Sequence, residues 1–91
     1  MKSSRYSLTL FVTGATPRSL HAISNVRDFC GRELGHDYNL EIVDLYEAPE
    51  RAQPANVIVA PTLIRHQPSP VKLLVGDMSE TARLRALILA P

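Results

Sequence analysis

Leu10-Phe11-Val12-Thr13-Gly14-Ala15-Thr16-Pro17-Arg18-Ser19-Leu20 is the stretch that decides how the chain folds. From Tyr6 to Thr13, Leu8, Leu10 and Val12 alternate with Thr9, Phe11 and Thr13, the two-residue period of a strand. Phe11 on the second face predicts burial on both sides. Gly14 to Pro17 breaks the strand. Thr16 is placed to cap a helix, and Pro17 suits its first position, where an N–H would be unpaired anyway. The helix is expected to reach about Gly35, with Leu20, Ile23, Val26, Phe29, Cys30 and Leu34 on one apolar stripe. Tyr38 to Leu45 is expected to be a second strand, with Leu40 and Ile42 on one face and Val43 and Leu45 on the other. A strand, a helix and a strand of these lengths form a parallel crossover unit.

Beyond Leu45 the local code is ambiguous. Pro49 can open a short helix through Ala52 and Gln53, which Pro54 limits. Val57 to Ala60 is too short for periodicity to separate strand from buried helix, and Thr62-Leu63-Ile64 continues it. Pro68-Ser69-Pro70 is a break, Val71 to Val75 reads as a strand, and Gly76-Asp77 as a turn. Asp77 or Ser79 can cap a last helix with Glu80 in its first turn and Leu84, Leu87 and Ile88 on one face, although Arg85 to Ala90 can also pair as a strand. Four prolines fall within the seventeen residues from Pro54 to Pro70. Two readings stay open: a proline-rich loop region in one stable fold, or a half-chain with two packings.

The 91 residues fit a single domain, residues 1–91, with a modest core that self-association would supplement. Apolar residues make up 45% and charged residues 21%, an ordinary globular composition. Net charge is +1, with no basic run to bind nucleic acid through its phosphates. No apolar run approaches the roughly 20 residues that cross a bilayer, and Met1 to Tyr6 is not a secretory leader, so a cytoplasmic protein is expected.

The element order strand, helix, strand, short helix, strand, strand, helix is that of thioredoxin-like folds. A redox thioredoxin places Cys-x-x-Cys at the turn into the first helix, where the helix N-terminus stabilises a thiolate. Gly14-Ala15-Thr16-Pro17 stands there instead, while Ala60-Pro61-Thr62 stands where a cis-proline beside the site is expected. The single cysteine, Cys30, excludes an internal disulfide, and its place on the apolar stripe reads as core packing. The enzyme alternative is a thioredoxin-like redox or stress protein using that thiol. His21, His36 and His66 lack a second ligand at metal spacing, and Gly14 alone is too weak a sign of phosphate binding. No catalytic residue, metal ligand or cofactor is therefore assigned. Arg65, His66, Lys72, Arg83 and Arg85 read as a solvated basic face, with an acidic protein surface as the sharper alternative.

Leu10 to Ser19 resembles the opening strand and turn of the KaiB family, whose pattern is close to LYVAGNTPNS. Val59-Ala60-Pro61-Thr62-Leu63 is similar to its ATPTL segment, and Pro68 to Ser79 to its PxPVRxxxGDLS segment. The correspondence runs from about Tyr6 to Leu89. The resemblance implies a non-enzymatic clock or timing regulator that binds the KaiC ATPase ring and, in full clocks, a KaiA-like partner. It also implies two packings: a thioredoxin-like one (βαβαββα) that binds the ATPase, and a resting one (βαββααβ) that assembles as a tetramer. Pro61, Pro68, Pro70, Gly76 and Asp77 fall on family positions involved in that switch. The family's partner segment, acidic and followed by lysine, is replaced by Ala52 to Asn56, which puts Glu50, Gln53 and Asn56 at the expected partner contact. The acidic tail of the family is absent before Pro91. A sensor domain of clock-output histidine kinases shares the thioredoxin-like fold and is implied as a competitor; a thioredoxin-fold adaptor with one packing is the remaining alternative.

Overall fold

Four strands are laid side by side in the order Tyr38–Asp44, Tyr6–Val12, Thr62–Gln67 and Lys72–Val75, and one face of that sheet carries both helices. The computed structural model describes residues 5–90; the sequence readings on residues 1–4 and on Pro91 lie outside it. In chain order the elements are β1 (Tyr6–Val12), α1 (Pro17–Glu33), β2 (Tyr38–Asp44), a single 3-10 turn (Pro49–Arg51), β3 (Thr62–Gln67), β4 (Lys72–Val75) and α2 (Thr81–Leu89). β1 and β2 are parallel, from Tyr6 opposite Tyr38 to Val12 opposite Asp44, with α1 as the crossover. β3 runs antiparallel to β1, and β4 antiparallel to β3. This is the thioredoxin-like order, with the middle helix reduced to a 3-10 turn followed closely by Pro54.

The alternation in the first strand sorts its side chains as its period requires. Leu8, Leu10 and Val12 enter the main core with Ala22, Val26, Phe29 and Cys30 of α1, Leu63 of β3 and Leu84, Leu87 and Ile88 of α2. Phe11 points the other way and builds a second core with Val43, Val57 and Ile64, flanked by Leu45, Ala48, Ala52 and Ala55. Each buried side chain of this size contributes about 1.5–3 kcal/mol, so the main core dominates stability. At β4 the second face is bare: Leu73 and Val75 are both exposed.

The start of α1 is built as its sequence suggests. Thr16 is the N-cap, its hydroxyl oxygen accepts the Ser19 N–H at 3.3 Å, and Pro17 takes the first turn. Ser19, fully buried, also accepts the Thr13 N–H at 3.1 Å, which ties the helix to the end of β1. The buried stripe differs from the expected one. It runs through Ser19, Ala22, Val26, Phe29 and Cys30, while Leu20 is 51% exposed. Small Ser19 and Ala22 let the helix approach the sheet, and Leu20 is turned out of the contact. Several boundaries also move. β1 stops at Val12, and Leu45 leaves β2, its N–H donating to the Val12 carbonyl at 2.8 Å. Val57 to Ala60 joins no strand, because only Val57 finds the second core. The N-cap of α2 is Glu80, without a side-chain cap bond; Asp77 Oδ1 instead accepts the Ser79 N–H at 3.1 Å, ahead of the helix. Arg85 to Leu89 is helical, which settles that alternative for this packing.

Candidate functional site

At the position of a thioredoxin redox turn, the chain presents Gly14, Ala15, Thr16 and Pro17, held from below by one carboxylate. Asp44 Oδ1 at the end of β2 accepts the Gly14 N–H at 2.8 Å and the Tyr46 N–H at 2.9 Å. Gly14 has φ +65°, and a Cβ there would lie 2.9 Å from the Tyr46 ring, so both backbone and space favour glycine. The turn carries no thiol. Cys30 lies fully buried in the main core, and burial pushes its thiol up to about 11. A neutral, enclosed thiol is a poor nucleophile. Under native conditions at pH 8, Cys30 is therefore expected to react with a thiol-specific chromophore at least about a hundredfold more slowly than in denaturant. Ionisation then favours the unfolded chain as pH rises from about 9 towards 11, so stability should fall across that window by about 2–3 kcal/mol, read from denaturant titrations.

The five positions expected to govern a change of packing occupy two separate places. Pro61, Gly76 and Asp77 meet at the end of the sheet next to the Gly14 turn. The Gly76 N–H donates to the Pro61 carbonyl at 3.0 Å, and the Asn25 side-chain amide of α1 donates to the Asp77 carbonyl at 3.0 Å. Hydrogen bonds from the Ser79 hydroxyl and N–H, with Arg18 nearby, hold the Asp77 carboxyl below its ordinary value. Gly76 has φ +131°, a conformation that side chains rarely adopt. Pro68 and Pro70 lie at the opposite end, in the β3–β4 turn. The peptide bonds before Pro61, Pro68 and Pro70 are cis.

Residues 45–61 cross the second face of the sheet from β2 to β3. Inward, Ala48, Ala52, Ala55 and Val57 pack on Phe11, Val43 and Ile64. Glu50, Gln53 and Asn56, the three expected contact positions, are exposed along this segment. A two-pronged ion pair clamps the segment to the sheet: Arg51 Nη1 and Nη2 each lie 2.9 Å from a Glu41 carboxylate oxygen. The same surface continues into Ile58, 97% exposed, and Val59, 47% exposed. Sequence reading misses this apolar addition, because an isoleucine in an apolar run reads as core. The Thr62 hydroxyl donates to the Val59 carbonyl and holds the run at the head of β3.

The expected basic face is not formed as one surface. Arg65 is fully buried, Arg83 pairs with Glu80 at 3.5 Å, and Arg85 pairs with Glu33 at 3.3 Å while standing 5.7 Å over the Phe29 ring. His66 shares a 2.8 Å hydrogen bond with the Thr9 hydroxyl. Among the described residues no three His, Cys, Asp or Glu side chains gather as a metal site, and no helix is long and apolar enough to cross a membrane.

Residues 9–89 match the KaiB domain family. The chain belongs to the KaiB family. Circadian clock protein KaiB3 of Synechocystis sp. is 42% identical over 84 residues, covering 92% of this chain and 82% of that protein. Circadian clock oscillator protein KaiB of Prochlorococcus marinus is 34% identical over 79 residues, 87% of this chain and 66% of that protein. In structure the chain is similar to the N-terminal domain of Synechococcus elongatus SasA, with a TM-score of 0.75 at 20% identity over 96% of this chain and 86% of the other. It is similar also to mitochondrial thioredoxin 3 of Saccharomyces cerevisiae, with a TM-score of 0.74 at 15% identity over 94% and 79%. The KaiB-family chain thus has a thioredoxin-like fold, and its relatives are clock proteins.

Proposed function

We propose that this KaiB-family chain is a non-enzymatic timing regulator that binds a KaiC-like ATPase ring and modulates its phosphorylation or activity. The observation that carries the reading is the exposed row Glu50, Gln53, Asn56, Ile58 and Val59 on a segment whose other side is anchored in the second core. Exposed apolar side chains close in sequence to exposed polar ones, on a segment anchored in this packing, suit protein recognition. In this reading residues 6–44 keep one structure, while the chain after about Pro49 exchanges between the thioredoxin-like packing and a second packing that self-associates as a dimer or tetramer. Pro61, Gly76 and Asp77 at one end of the sheet, and Pro68 and Pro70 at the other, bound the part that changes. A ring that binds one packing only draws molecules out of the other by mass action. A KaiA-like protein or a thioredoxin-like kinase sensor domain would act as further partner or competitor, in the cytoplasm.

The test combines sedimentation with a KaiC-family ATPase and amide NMR spectra over a range of protein concentrations. The reading expects co-sedimentation and a second set of signals, confined to residues after 49, that grows with concentration. Co-sedimentation with one set of signals throughout would leave a non-switching adaptor. Absence of co-sedimentation would overturn the partner.

A further inference from the structure

Arg65 stands on β3, on the same face as Leu63, with none of its surface exposed. Its Nη1 donates to the Ile88 carbonyl at 3.1 Å and to the Ala90 carbonyl, and its Nη2 donates to the Pro70 carbonyl at 3.1 Å. Among the described residues no carboxylate pairs with it, and its buried Nε has no acceptor. The last carbonyls of a helix lack partners within the helix and carry the negative end of its dipole. α2 has no basic side chain in its own last turn. The sheet supplies the missing cation from beneath. A planar guanidinium can serve two segments at once through its two terminal nitrogens, here the end of α2 and the β3–β4 turn. Among the described residues this buried charge meets only carbonyl dipoles, and it becomes costly as soon as those carbonyls leave, so the two segments share one condition for staying in place.

We infer that Arg65 is a clasp that couples the end of α2 to the Pro68–Pro70 turn, so that the two loosen together. The inference concerns this packing alone and does not depend on any partner. The test is site-resolved amide exchange on the full chain with Arg65→Met and Arg65→Lys. Arg65→Met is expected to speed exchange at least about tenfold both in Lys72–Val75 and in residues 87–90, with residues 8–12 within about twofold of the parent. Arg65→Lys keeps the charge on a single nitrogen that cannot span both segments, so the two stretches are again expected to loosen together. If Arg65→Met does not fold, the Lys variant decides by the same pattern. Unchanged exchange in both stretches, or loosening spread equally into residues 8–12 of a folded variant, would overturn the clasp.

Discussion

Ile58→Asp is expected to weaken capture by a KaiC-like ATPase ring at least about thirtyfold and to leave the fold untouched. Ile58 is 97% exposed, so the side chain gives almost nothing to folding, and melting should stay within about 0.5 kcal/mol of the parent. A partner that covers it recovers most of an isoleucine's transfer free energy, about 1.5–3 kcal/mol. Aspartate removes that contribution and leaves a desolvated charge in its place. Central contacts of this kind cost 2 kcal/mol or more when lost, about thirtyfold in dissociation constant. Titrating the ring with both proteins and melting each alone separates the two effects. Binding retained within about threefold would place the partner elsewhere.

Phe29→Ala should have the largest effect on stability, and Leu20→Ala almost none. Phe29 is 1% exposed between α1 and the sheet, with Arg85 over its ring, whereas Leu20 one face away is 51% exposed. Truncating a buried phenylalanine costs about 3–5 kcal/mol, because the cavity adds to the lost transfer term. A domain of this size has a total of about 5–13 kcal/mol, so the variant sits near the limit of folding. The midpoint should fall by roughly 12–40 °C in a thermal scan. Leu20→Ala should stay within about 0.5 kcal/mol. Similar losses from the two substitutions would contradict the helix orientation described here.

Leu20 and Phe29 also mark where the fold was legible in the sequence and where it was not. The alternation of Leu8, Leu10 and Val12 with Phe11 assigned both faces of β1, and Thr16-Pro17 marked the start of α1, because these depend on local period and capping. Leu84, Leu87 and Ile88 named the buried face of α2 for the same reason. Leu20 fits the helical stripe yet faces outward, since how wide a stripe is covered depends on the sheet beneath it. Val57 to Ala60 reads as one apolar run, but tertiary packing takes Val57 and leaves Ile58 outside. Arg65 could not be foreseen as core: its acceptors Pro70, Ile88 and Ala90 meet only once the hairpin and the last helix are both in place. Glu50, Gln53 and Asn56, all exposed, are singled out only through the family resemblance, while the exposure of Ile58 was hidden by its own hydrophobicity.

The most direct measurement is hydrogen exchange of the chain with and without a saturating KaiC-family ATPase ring. New protection is expected to be strongest in residues 50–59, above any change shared by the rest of the chain after Pro49, Leu73 and Val75 of β4 included. Protection centred on β4, or none at any ring concentration, would contradict it.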